Sequence, residues 1–90
     1  MAAGVGNVIG TGFKINKNVS DLNDVNYTSI TSFTGLDVSN LPVGSFAYGI
    51  LITFKSFYML QMYIKFGSDL AVYIRYGSGE TWQGNTWYKL

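Results

Sequence analysis

The chain contains no cysteine and no histidine. The first absence removes disulfides and thiolate chemistry. Together they remove the usual zinc and iron ligand sets and every imidazole acid or base, so no metal site, cofactor or catalytic residue is expected. Charge is also scarce, with 12% of residues charged, six basic against five acidic, and a formal net charge of +1 with no basic run. The electrostatic footprint of a nucleic-acid binder is therefore missing, and DNA and RNA are set aside as partners. Gly4, Gly6, Gly10 and Gly12 make no phosphate loop, because no Lys-Ser/Thr pair follows them. A glycosidase would need two carboxylates, and the nearest pair in the C-terminal half, Asp69 and Glu80, falls in turns where solvated acids are ordinary. No nucleophile, base and orienting partner can be assembled, so the chain reads as a non-enzyme.

Phe46 to Phe66 has about the length of a membrane span. It carries Lys55, Ser56, Gln61 and Lys65, and one central Lys alone costs roughly 2.5 to 3.5 kcal/mol on insertion. Its aromatic and β-branched content favours strands, so no membrane insertion is expected. The N-terminus shows no basic region followed by an apolar run, so a soluble chain without a secretion signal is expected.

Against these absences stands a large apolar fraction. Of the 90 residues, 48% are hydrophobic and 17% aromatic. That is apolar for one small domain, which buries only about 60 to 65% of its unfolded surface. Some of the apolar surface is expected to be covered by another chain.

Residues 1–12 are Gly- and Ala-rich without periodicity and read as a tether. Phe13 to Val19 suits a short strand, so residues 1–19 are expected to be a linker or the end of an upstream shaft and residues 20–90 a single domain. Ser20-Asp21-Leu22-Asn23-Asp24 suits a turn or one helical turn, Tyr27 to Thr34 a strand, and Gly35 to Ser45 an irregular loop. Phe46 to Phe54 alternates, with Phe46, Tyr48, Ile50, Ile52 and Phe54 on one face and Ala47, Gly49, Leu51 and Thr53 on the other. Phe57 to Phe66 puts Tyr58, Leu60, Met62, Ile64 and Phe66 opposite Phe57, Met59, Gln61, Tyr63 and Lys65. Both faces carry large apolar groups, which a strand with one wet face would not, so the second face should be covered by another sheet or another subunit. Leu70 to Tyr76 reads as a hairpin partner, and Thr86 to Leu90 as a last strand. The expected fold is all-β, a small antiparallel sandwich or barrel-like knob.

Five pieces in order extend this reading: Asp21-Leu22-Asn23-Asp24-Val25, Leu41-Pro42-Val43-Gly44, Gln61 with Tyr63, Tyr73-Ile74-Arg75, and the closing Thr81-Trp82-Gln83-Gly84-Asn85-Thr86-Trp87-Tyr88-Lys89-Leu90. Over residues 20–90 they resemble the small β knobs at the ends of phage tail fibres and pyocin-type tail fibres. Val25-Asn26-Tyr27-Thr28 departs from the pattern, because a Pro-Gly-Tyr turn often follows the opening motif. The resemblance implies a homotrimer at the tip of a virion tail fibre, touching a bacterial surface polysaccharide, teichoic acid or surface protein. It implies also that Leu90 is a natural C-terminus and Met1 the start of a shortened chain.

Four residues are candidates for receptor contact: Trp82, Gln83, Asn85 and Tyr76. An indole face stacks on a sugar ring while flanking amides fix hydroxyls, although a large aromatic late in a small domain also closes its core. Gln61, Tyr63, Tyr73, Arg75, Met59 and Trp87 are candidates for the trimer interface or for internal structure. Gln61 and Arg75 lie on adjacent strands. Arg75 would either hold a phosphate or carboxylate, or stack on tyrosines and bond to Gln61 or a neighbouring chain. For Trp87 the core-closing role is favoured.

Overall fold

Among the described residues the alternation becomes seven strands in one sheet. The computed structural model describes residues 14–42, 45–79, 81–83 and 86–90. They form β1 (Lys14–Lys17), β2 (Ser29–Thr34), β3 (Tyr48–Lys55), β4 (Tyr58–Lys65), β5 (Ala71–Ser78), β6 (Thr81–Trp82) and β7 (Tyr88–Lys89). The strand order is β1-β2-β3-β4-β5, with β6 and β7 both on the far edge of β5. The chain is all-β, and among the described residues the sole helical element is a 3-10 turn at Leu22–Asp24. No helix among them is long and apolar enough to cross a membrane.

The central pairings, β2 to β5, are antiparallel, as the turn-punctuated hairpins lead one to expect. β1 differs, pairing parallel to β2 with Ile15 beside Ile30. Parallel neighbours need a crossover connection. Residues 18–28 supply it by passing over one face of the sheet, where Leu22 and Val25 are fully buried. Asp21 caps the 3-10 turn, its Oδ1 accepting from the Asn23 backbone N–H at 2.9 Å and from Asn40 Nδ2 at 2.7 Å.

The longer β2–β3 connection covers the same face. It is stitched to the crossover by Leu22 N–H to Ser39 O (3.1 Å) and Ser39 N–H to Ser20 O (2.9 Å), with Val38 and Leu41 packed on the core. That core consists of Leu22, Val25, Phe33, Ala47, Leu51 and Tyr63. Phe33 meets Tyr63 edge-on at 6.1 Å, and the Tyr63 hydroxyl donates to the Phe46 carbonyl while accepting from the Tyr48 N–H at 3.0 Å. Gly49 is required here, since a Cβ at that position would fall on the Ile64 carbonyl of β4.

Candidate functional site

The face that the chain covers with its own loops is the more polar one. Ser29, Thr31, Thr53, Gln61 and Arg75 are all buried on it. Polar groups in such a place must find partners. Gln61 and Arg75 lie directly opposite across β4 and β5. Gln61 Nε2 donates to the carbonyls of Leu22 (2.9 Å) and Val25 (3.1 Å), and its Oε1 accepts from Arg75 Nε at 2.8 Å. One amide therefore ties the crossover to the sheet and orients the guanidinium.

The Arg75 guanidinium lies 4.4 Å from the Trp82 ring centroid and 4.6 Å from that of Trp87. Both indoles are bonded as well: Trp82 Nε1 donates to Asn23 O (3.2 Å) and Trp87 Nε1 to Asn40 O (3.1 Å). The C-terminal segment is thus fastened to both covering loops through a cation held between two rings. Burial lowers the Arg75 pKa to about 10, opposed by the Asp21 carboxylate. Arg75 stays charged at neutral pH. Burial also raises the Tyr63 pKa, against the lowering effect of the Tyr48 N–H bond.

The six interface-or-structure candidates all belong to this covered face. Met59, Gln61, Tyr63 and Arg75 are buried, and Tyr73 and Trp87 are partly buried against the same core. Their side chains are engaged within one chain. Arg75 takes tryptophans as its ring partners, where tyrosines were expected, because β6 and the 86–90 segment bring Trp82 and Trp87 over it. Of the receptor candidates, Trp82 is only 8% exposed and leaves no open indole face for a sugar. Tyr76 and Gln83 are exposed and line a cleft of about 150 Å³ with Thr86 and Tyr88. Asn85 lies outside the described residues, as does Glu80, while Asp69 pairs with Lys65 at 3.4 Å. Among the described residues no group of three or more potential metal ligands gathers.

No described residue covers the opposite face, and alternation alone did not reveal which face this would be. Its central row runs Ile15, Ile30, Ile52, Met62, Ile74, Tyr88 across six strands. Flanking rows run Lys17, Ser32, Ile50, Ile64, Val72 on one side and Phe54, Leu60, Tyr76 on the other. From β2 to β5 this face presents no charged side chain. Tyr48 (53% exposed), Phe54 (48%), Tyr58 (65%), Leu60 (38%) and Tyr76 (50%) stand out of it. Phe54, Tyr58, Leu60 and Tyr76, with Thr28, Lys55, Ser56 and Met59, line a groove of about 460 Å³ at one end. At the other end Tyr48 and Phe66 form an edge-on pair at 6.4 Å.

Compared with protein-family models, with curated proteins and with solved structures, the chain finds no match.

Proposed function

We propose that this chain is the attachment knob of a phage or phage-tail-like fibre, working as a homotrimer at the fibre tip of the virion and binding a bacterial surface ligand without catalysis. The observation that carries the reading is the ring-bearing sheet face, without a charged side chain from β2 to β5, that the described residues leave open while they seal the polar face. A sheet face of that composition is stable in water only when something covers it, and packing between copies would complete a sandwich-like or barrel-like core. The sequence resemblance to tail-fibre knobs supplies the biological setting. Three copies on one shaft would turn weak contacts with a surface glycan, teichoic acid or surface protein into useful avidity.

A second reading has its own support. Trp82, the strongest sugar-stacking candidate, is used internally, which favours a cap that trimerises and registers the shaft while adsorption happens elsewhere. Fluorescently labelled protein incubated with a panel of bacterial strains separates the two. Saturable binding to some strains, blocked by their purified polysaccharide or surface protein, is the outcome expected of an attachment knob. A trimer that binds none of them, yet raises the melting temperature of a shaft segment fused ahead of it, identifies the cap.

A further inference from the structure

We infer that copies of this chain meet through the open sheet face, three such faces turned toward one axis so that the occupant of each is the same face of its neighbouring copies. This deepens the trimeric reading and rests on it. It moves the contact away from the residues that the sequence suggested, since Gln61, Tyr63 and Arg75 are consumed on the covered face.

Three observations favour a second copy. The first is charge. From β2 to β5 the face carries no charge, and the cations beside it, Lys17 on β1 and Lys55 at the groove, stand at its borders where they stay in water. A like face packed over β2–β5 therefore strands no ion, whereas a partner bearing charges would have to bury them without complement. The second is area. Strands β2 to β5 have six to eight residues each. At about 4.8 Å between strands and about 3.3 Å per residue they span a plan of roughly 500 Å² before side-chain relief is counted. Ile15 and Tyr88 extend it at the two edges, so that the area each copy covers against its two neighbours approaches the roughly 800 Å² buried per copy in a stable complex. The third is shape. The groove beside Phe54, Leu60 and Tyr76 and the projecting Tyr48–Phe66 pair lie at opposite ends of β3 and β4 on one face, a socket and a plug that neighbouring copies can join head to tail round a ring of three.

The test is light scattering on a sizing column over a dilution series. Wild-type protein is compared with Leu60→Lys and Met62→Lys on the open face, and with Leu36→Lys, a 59% exposed leucine in the β2–β3 connection. Trp82 and Trp87, on the covered face, report folding by their emission. The expected result is a wild-type species of three times 9.9 kDa, retained by L36K. In L60K and M62K, at native emission, the concentration for half dissociation should rise at least 100-fold. A wild-type trimer left intact by both open-face lysines overturns the face assignment and spares the trimeric reading. A wild-type monomer at every concentration overturns both and gives the face to a different kind of partner. Should the lysine variants not fold, Leu60→Cys in this cysteine-free chain replaces them, with maleimide labelling as the readout. Labelling at least tenfold slower in the associated state than in the dilute one supports the assignment, and equal rates overturn it.

Discussion

Arg75→Met removes the cation from between the two tryptophans while filling much of its volume. Lost are the Arg75 Nε bond to Gln61 Oε1, at 2.8 Å, and two ring contacts at 4.4 and 4.6 Å. A hydrogen bond to a charged group contributes about 1.5 to 3 kcal/mol, and each desolvated cation–π contact about 0.5 to 2 kcal/mol. Opposing them is the desolvation of a guanidinium that is 2% exposed, a cost of several kcal/mol that the variant no longer bears. The buried Gln61 Oε1 loses its donor in the variant, which should leave the balance at about 2 kcal/mol of destabilisation. Urea unfolding followed by tryptophan emission reads the locus directly, because the chain's two tryptophans are the residues that hold the cation. With a slope of about 1 to 2 kcal/mol per molar for a domain of this size, the midpoint should fall by about 1 to 2 M at fixed protein concentration. A midpoint that is unchanged, or higher, in R75M would refute the argument that this cation fastens the C-terminal segment to the covering loops.

Gln61→Leu deprives the Leu22 and Val25 carbonyls of their shared donor and should cost about 2 to 4 kcal/mol, measured in the same titration. Gly49→Ala drives a Cβ into the Ile64 carbonyl and should separate β3 from β4, seen as a melting temperature lowered by more than about 10 °C. Asp21→Ala removes the acceptor of the Asn23 and Asn40 bonds and should cost about 1 to 2 kcal/mol. With no histidine, and with Arg75 and Tyr63 both keeping their protons, melting temperature should be flat from pH 6 to 9. The two groups then act with opposite signs. Tyr63, whose folded pKa is raised, contributes stability that is full below pH 10 and is lost as pH climbs toward that folded value. Arg75, whose folded pKa is lowered to about 10, releases its proton first in the folded state and so raises stability from about pH 10 upward. Tyr63→Phe should remove the alkaline loss and leave the Arg75 effect.

Local pattern by itself determined the long strands, though not β6 at Thr81–Trp82, where a turn followed by a polar bend was expected. Alternation at Tyr48 to Phe54 and Tyr58 to Phe66, with turns at Ser56 and Gly67, places β3 and β4 and their antiparallel register, because a period of two is a local backbone property. The meeting of Gln61 with Arg75 belongs to the next hairpin, where the turn at Gly67 sets β5 antiparallel to β4. What alternation leaves open is which face of a two-sided apolar strand goes inside. Hydropathy alone would choose the isoleucine face. Tertiary structure decided otherwise, because the parallel β1–β2 pairing sends residues 18–28 across the Ser, Thr, Gln and Arg face, where their backbone carbonyls satisfy Gln61. Trp82 and Trp87 were visible as large rings near the C-terminus, but their stacking on Arg75 depends on two edge segments folding back over β5. Contacts between residues far apart in the chain decided which polar groups could be buried, and among the described residues they left the apolar face uncovered.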